Sequence, residues 1–275
     1  MSELSVYSSI GVRSAAEELF RKFEEQDGSR LAVTWGTAPM LIARIEAGER
    51  TDVLILSRAG IDTLHKQGKI LSGTDVTLAG SGVAIAVKAG AAKPDISTPE
   101  ALKQTLLKAK SIAYSEPAAG GASGVYFAKL LERMGIAEQM KPKTKYPPAG
   151  GFSAELVLTG EAELAVQQKP ELLHVRGVEI VGFLPGDLNL VTEFAAAVMA
   201  GSQNAEMGKA LIDTLRSPQA AAVFRSKGLD PRKPVSGYTS IITGFSISAL
   251  KAPISSAPSA PSTARWSQDM VTLMI

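Results

Sequence analysis

Apolar and polar positions change period several times along the chain, and each change marks an element. "LSVYSS", residues 4–9, reads as a short strand that ends on small hydroxyl residues. "RSAAEELFRKFEEQDG" then sets Ala15, Leu19 and Phe23 at helical spacing, with Gly28 as the stop. The exchange recurs: "LAVTWGT" is a strand, "PMLIARIEAGE" a helix opened by Pro39, "TDVLILS" a buried strand and "GIDTLHKQGKI" another helix. Next, strand-rich "GSGVAIAVKAG" precedes "STPEALKQTLLKA", a helix with a hydroxyl cap and a proline near its first turn, and "KSIAYSEP" is a strand leading to a loop. Helix "GVYFAKLLERMGI", extended "PKTKYP", helix "FSAELVLTGE" and strand "AELAVQQ" continue the rhythm.

Alternation on this scale predicts an α/β fold with mostly parallel sheets flanked by helices, and ligands in such sheets bind beyond the carboxyl ends of the strands. Those ends share a design. Ser8 and Ser9 close the first strand, Thr37 stands in "WGTAP", Ser115 and Ser123 flank the glycines of "YSEPAAGGASGVY", and Ser153 stands in "PAGGFSAEL". Each alone is an ordinary helix cap. Four of them at one end of two α/β units predict a cleft that holds a small anion through hydroxyls, backbone N–H groups and helix N-termini rather than through a cluster of cations.

Composition narrows the picture. At 275 residues the chain is long enough for one large or two medium domains, and 45% apolar with 20% charged residues is ordinary for a folded protein. A net charge of +2 excludes a strong nucleic-acid or anionic-membrane footprint, so no nucleic-acid partner is expected. With no cysteine and only His65 and His174, thiolate chemistry is excluded, and neither a metal site nor a cofactor is expected. "GGASG" lacks the lysine of a phosphate loop and the spacing of a dinucleotide loop. "MSELSVYSSIG" has no basic start and apolar core of a secretory signal, which predicts a cytoplasmic protein as written, or a periplasmic one if the start is truncated. The Pro, Ala and Ser stretch "SSAPSAPSTARWSQ" reads as part of a flexible tail over 235–275.

"LSVYSS…LFRKFEE", "IEAGERTDVLILS", "GVYFAKLLERMGI", "LTGEAELAVQQ" and "LRSPQAAAVFRSKGL" together resemble the type II periplasmic binding protein superfamily, molybdate-binding branch, over roughly residues 4–231. That resemblance implies a two-lobed clamp, with residues 1–80 and 190–234 in lobe one and 81–189 in lobe two. It also implies ligand contacts at Ser8, Ser9, Gly36, Thr37, Phe152, Ser153 and Ala154. The chain departs from the molybdate binders at "SEPAAGGASG", where they carry an Asp-Pro turn, and at "VQQ", where they carry a tyrosine. There "GEAELAVQQKPELL" is similar to a side branch that includes aconitate isomerase. Gln167 and Gln168 offer amide donors and acceptors that suit an organic carboxylate.

Arg13, in the first turn after the opening serines, is a candidate to pair with ligand charge, and exposure without a role is the competing reading. Trp35 is placed either beside a ligand or in the core, while His65 and His174 read as peripheral. Two functions follow from the resemblance. One is a binder of a small oxyanion or organic di- or tricarboxylate, working with ABC transporter membrane subunits if a signal peptide is missing from this chain. The other is an isomerase of an unsaturated tricarboxylate, whose catalytic base the sequence does not single out among Lys88, Tyr114, Glu116 and Glu193.

Overall fold

A computed structural model describes residues 3–148 and 150–232 of the chain. The segment read as a flexible tail, 235–275, lies outside the described residues.

The first half of the molecule follows the alternation in the sequence. β1 (Glu3–Ser9), β2 (Arg30–Gly36) and β3 (Val53–Ser57) pair in parallel around β1, joined by α1 (Arg13–Asp27) and α2 (Ala38–Glu46). α1 presents Ala15, Ala16, Leu19, Phe20 and Phe23 to Leu4 and Val6 of β1, a single buried stripe at three- and four-residue spacing. It ends where Gly28 adopts the left-handed conformation at φ +71° and donates to the Glu24 carbonyl, a geometry that only glycine takes without strain. β3 is apolar on both faces because α3 (Arg58–Lys66) and α2 cover one side and α1 the other, so Leu54 and Leu56 join one core cluster while Val53 and Ile55 join another. Burying side chains of this kind is worth about 1.5–3 kcal/mol each before entropy is counted.

A long strand, β4 (Val76–Lys88), then runs through both parts of the sheet. Its first half pairs with β9 (Val191–Val198), and its second half with β7 (Leu164–Gln168) and β8 (Val178–Phe183), all antiparallel. Beyond it, β5 (Ile112–Tyr114) lies parallel to β7 and to β6 (Thr144–Lys145). The strand order is β2-β1-β3-β9-β4-β7-β5-β6, with β8 and β10 (Asp230–Pro231) also paired to β4. The parallel pairs expected from the alternation are present in both halves, and the antiparallel pairs involving β4 and β9 join them. Antiparallel partners need no crossover of fixed hand, and these lie far from β4 in sequence, so the βα rhythm does not announce them.

Helices cover the second half as well: α4 (Pro99–Lys108), α5 (Ala122–Arg133) and α6 (Ala137–Met140) on one face, α7 (Ser153–Leu158) and α8 (Lys169–His174) on the other. α9 (Ala205–Leu215) and α10 (Pro218–Ser226) return the chain to the cluster around α1. No helix of the described residues is long and apolar enough to cross a membrane.

Candidate functional site

The parallel strands of both halves end at a single cavity of about 360 Å³. From the first half, the ends of β1, β2 and β3 contribute Ser9, Gly36, Thr37 and Ser57. From the second, the loop after β5 and the start of α5 contribute Ser115, Glu116 and Ser123, and the end of β7 contributes Gln167 and Gln168. Thr192 and Phe194 of β9 and Glu171 of α8 close the floor. At the mouth, Thr37 Oγ1 donates to the Ala119 carbonyl at 3.2 Å, so the two sides of the cavity touch there.

Seven of the residues singled out in the sequence therefore share this cavity: Ser9, Gly36, Thr37, Ser115, Ser123, Gln167 and Gln168. Five do not line it, among them Phe152, which is buried and packs on His174. Ser8 is fully buried in β1 with its hydroxyl unpartnered, because successive strand residues face opposite sides and Ser9 takes the outward one. Arg13 binds Glu17 at 2.7 Å and lies over the Trp35 ring at 5.3 Å, turned away along α1. Ser153 and Ala154 are buried in the first turn of α7. Ser153 acts indirectly: its N–H and Oγ both donate to Gln167 Oε1, at 2.8 and 3.0 Å, and Gln167 Nε2 donates to Ser115 Oγ at 3.1 Å. A serine read as a ligand contact is thus a clamp on a glutamine that lines the cavity.

Gln168 is similarly fixed, its Nε2 donating to Thr192 Oγ1 at 2.8 Å, while its Oε1 is buried and unpartnered. The Thr192 hydroxyl can donate as well as accept, so turning this amide over would present an N–H in place of the carbonyl. Gly120 and Gly121 of the β5 loop line the cavity, and Gly124 in the first turn of α5 serves packing. A Cβ on Gly124 would stand 2.1 Å from the Ser115 carbonyl oxygen, so α5 reaches the site only because this position has no side chain.

Electrostatically the wall is unusual. Among the described residues no Lys, Arg or His side chain lines the cavity, and its ionisable side chains are Glu116, which is exposed at the rim, and Glu171. Glu171 is partly buried, and one of its oxygens accepts from Gln168 N at 3.2 Å. Burial pushes its carboxyl up to about 7, with the Gln168 N–H and the Gln167 side chain acting the other way. Of the other bases considered from sequence, Tyr114 is buried and bonded to Tyr146, and burial with that neighbour raises its hydroxyl. Lys88 donates to the Leu158 carbonyl and Glu193 pairs with Arg232; none of the three lines the cavity. Trp35 stacks on Phe20, His65 lies 3.4 Å from Asp75, and His174 packs on Phe152, all away from it. Among the described residues no group of three or more His, Cys, Asp or Glu is placed to hold a metal.

Sequence reading missed Ser57, Thr192 and Glu171. Ser57 ends a strand as the other hydroxyls do and was legible on that rule; Thr192 lies mid-segment with no local mark, and Glu171 reads as a helix-cap residue after Gln168.

Comparison with known proteins adds relatives. Residues 4–230 match the family described as bacterial extracellular solute-binding protein. The chain is 36% identical over 237 residues to aconitate isomerase of a Pseudomonas species, covering 84% of this chain and 88% of that one. It is 25% identical over 228 residues to the molybdate-binding protein ModA of Escherichia coli, covering 82% and 88%. Among solved structures, the periplasmic molybdate-binding protein of Azotobacter vinelandii superposes with a TM-score of 0.67 at 19% identity, over 82% of this chain and 98% of that one. At that identity the likeness concerns the fold alone.

Proposed function

Because this chain belongs to the bacterial extracellular solute-binding protein family, we propose that its cavity binds a small organic di- or tricarboxylate and interconverts the isomers of an unsaturated one. The periplasmic-binding-protein fold expected from the sequence is borne out by the likeness to the molybdate-binding structure. On the proposed reading, residues 1–80 with 190–234 act as one lobe and 81–189 as the other, and the ligand sits where the strand ends of both meet.

The observation that carries the reading is the lining itself: hydroxyls and side-chain amides around about 360 Å³, with no cationic side chain among the described residues. A cavity of about 360 Å³ lies in the range of small-molecule sites and leaves room for a carbon skeleton bearing several carboxylates, so the lining chemistry and not the volume separates this ligand class from a compact oxyanion. Neutral donors distributed around the wall suit carboxylates spread over a carbon skeleton, each taking one or two hydrogen bonds. The 36% identity to a protein named aconitate isomerase supports the same ligand class and the isomerase chemistry.

The molybdate-binding relative favours a second reading, capture of a compact oxyanion, on which the protein would work outside the inner membrane beside ABC transporter membrane subunits. One experiment separates the two. A ligand that binds only the native state raises its melting temperature by mass action. Purified protein is tested for thermal stabilisation by molybdate, tungstate, sulfate, citrate, and cis- and trans-aconitate, and each stabilising organic acid is followed by proton NMR in deuterated water. Stabilisation by an aconitate, with deuterium uptake and growth of the other isomer, is the expected outcome. Stabilisation by a tetrahedral oxyanion with every organic acid inert would establish the second reading instead, and no stabilisation at millimolar ligand refutes both.

A further inference from the structure

We propose that Glu171 is the acid–base group of this site, removing a proton from the methylene carbon of a bound unsaturated polycarboxylate and returning one to the former vinyl carbon; this rests on the isomerase reading above. Four features of the cavity lead there. Glu171 lines it beside Gln167, Gln168 and Thr192, so its carboxyl shares a wall with amide and hydroxyl groups able to stabilise developing charge. The Gln168 N–H holds one carboxyl oxygen at 3.2 Å and so fixes the group's orientation. The carboxyl forms no ion pair among the described residues. Glu116, the other ionisable side chain on the cavity, is exposed on the 3-10 turn at the rim, where bulk water competes for any proton it would move.

The surroundings leave the carboxyl poised. α8 packs against β4, β7, β8, α1 and the short turn before α1. Of the charged groups on these elements, Arg13 pairs with Glu17, Glu18 with Lys22 and Lys227, Lys88 with the Leu158 carbonyl and Glu179 with Lys93, Glu24 accepts from the Leu31 N–H, and Arg21, Glu25 and Asp27 are exposed on α1. On α8 itself, Lys169 lies over the Phe183 ring. What acts on Glu171 is burial, opposed by the Gln168 N–H and Gln167, and the result near 7 lets it accept and release a proton at neutral pH.

The step needs no co-reactant. The Glu171 carboxylate takes a methylene proton; the C–H electron pair becomes the new carbon–carbon double bond, and the old double-bond pair moves onto the vinyl carbon and into its carboxylate. The Glu171 carboxylic acid then protonates that carbon, restoring the carboxylate and leaving a product of the same formula with the double bond shifted. The conformation about the bond from the methylene to the central carbon when the proton leaves sets the cis or trans geometry of the new double bond, while the carbon that is reprotonated becomes a methylene.

The test uses the full chain and the two aconitates. Wild-type conversion is measured first by proton NMR in deuterated water, because failure there refutes the isomerase reading and this assignment together. With a converting wild type, Glu171→Gln is compared in three readouts. Glutamine can still accept the Gln168 N–H, so thermal stabilisation by aconitate is retained. Conversion and deuterium uptake fall about 10²–10⁴-fold, the usual contribution of a general base. A variant that binds aconitate and converts it within threefold of the wild-type rate overturns the assignment while leaving the isomerase reading intact. If Glu171→Gln does not fold, the wild-type pH profile decides: kcat/KM falls about tenfold per pH unit below about 7, where the base is protonated, and a flat profile across that pH overturns the assignment.

Discussion

Gln167→Ala tests whether the buried amide is what holds the second half of the site. Gln167 is 2% exposed, and its Oε1 is the partner of the Ser153 N–H at 2.8 Å. Truncation leaves that N–H, at the start of α7, with no acceptor in a fully buried position, which costs about 1–3 kcal/mol. Ser153 Oγ loses its 3.0 Å bond but keeps a longer one to the Val166 carbonyl at 3.5 Å, and Ser115 Oγ lines the cavity and is open to water, so these two add little. Loss of one buried methylene adds about 0.8 kcal/mol. The sum is roughly 2–4 kcal/mol, and for a unit of this size each kcal/mol moves the melting temperature by about 2–4 °C. Differential scanning fluorimetry should therefore place Gln167→Ala about 5–15 °C below wild type, with weaker stabilisation by any ligand that engages Ser115. Gln167→Glu keeps the acceptor for Ser153 and should recover part of the loss at low pH, where the carboxyl is protonated and no charge is buried. A melting temperature for Gln167→Ala within 1 °C of wild type would refute the argument that Ser153 and Gln167 form a structural clamp.

Two further outcomes follow from particular contacts. Gly124→Ala places a methyl 2.1 Å from the Ser115 backbone carbonyl, which cannot rotate away; despite the roughly 1 kcal/mol that alanine gains over glycine in a helix, the variant should melt below wild type and lose ligand stabilisation, and an unchanged melting temperature would contradict it. Asp75, bonded to Arg58 at 2.7 Å, is held below the usual carboxylate range mainly by that hydrogen bond. A depressed native value contributes stability that is complete above the unfolded value of about 4 and is lost as pH falls through the native one. Asp75→Asn should thus cost about 1–2 kcal/mol at pH 7 after solvent screening, with the gap closing below about pH 4, and a gap that widens on acidification would reverse the sign of the argument.

Much of the first half of the fold was legible in the sequence because its information is local. The stripe of Ala15, Leu19 and Phe23, the stop at Gly28 and the apolar run of β3 each report burial at one period, and period distinguishes helix from strand without reference to the rest of the chain. The same holds for the hydroxyls at strand ends, which mark one end of a parallel sheet wherever the neighbouring strands lie. What local pattern does not carry is direction. β4 reads as strand from its composition, but that its two halves serve different partners, and run antiparallel to them, is set by pairings from 79 to 120 residues apart in sequence. Nor does pattern decide between adjacent serines: the pleat turns Ser9 to the cavity and buries Ser8, and the choice depends on which face α1 covers.

The site shows the same division. Hydroxyls, glycines and the glutamine pair pointed from sequence to a polar-walled cavity, since strand ends on one side of a parallel sheet converge, and most of them do line one. Arg13 was the plausible counter-charge by position, and the fold gave it Glu17 and Trp35 instead. Glu171 carries no mark of a site in sequence; packing α8 beneath the cavity is what made it an ionisable group partly withdrawn from water beside Gln168 and Thr192. By itself, then, the sequence determined the main helices and strands as far as Gln168 and which ends carry hydrogen-bonding side chains, because these follow from neighbours a few residues away. Tertiary structure alone decided which of those side chains meet and which carboxyl loses its water, because convergence and desolvation depend on segments that only folding brings together.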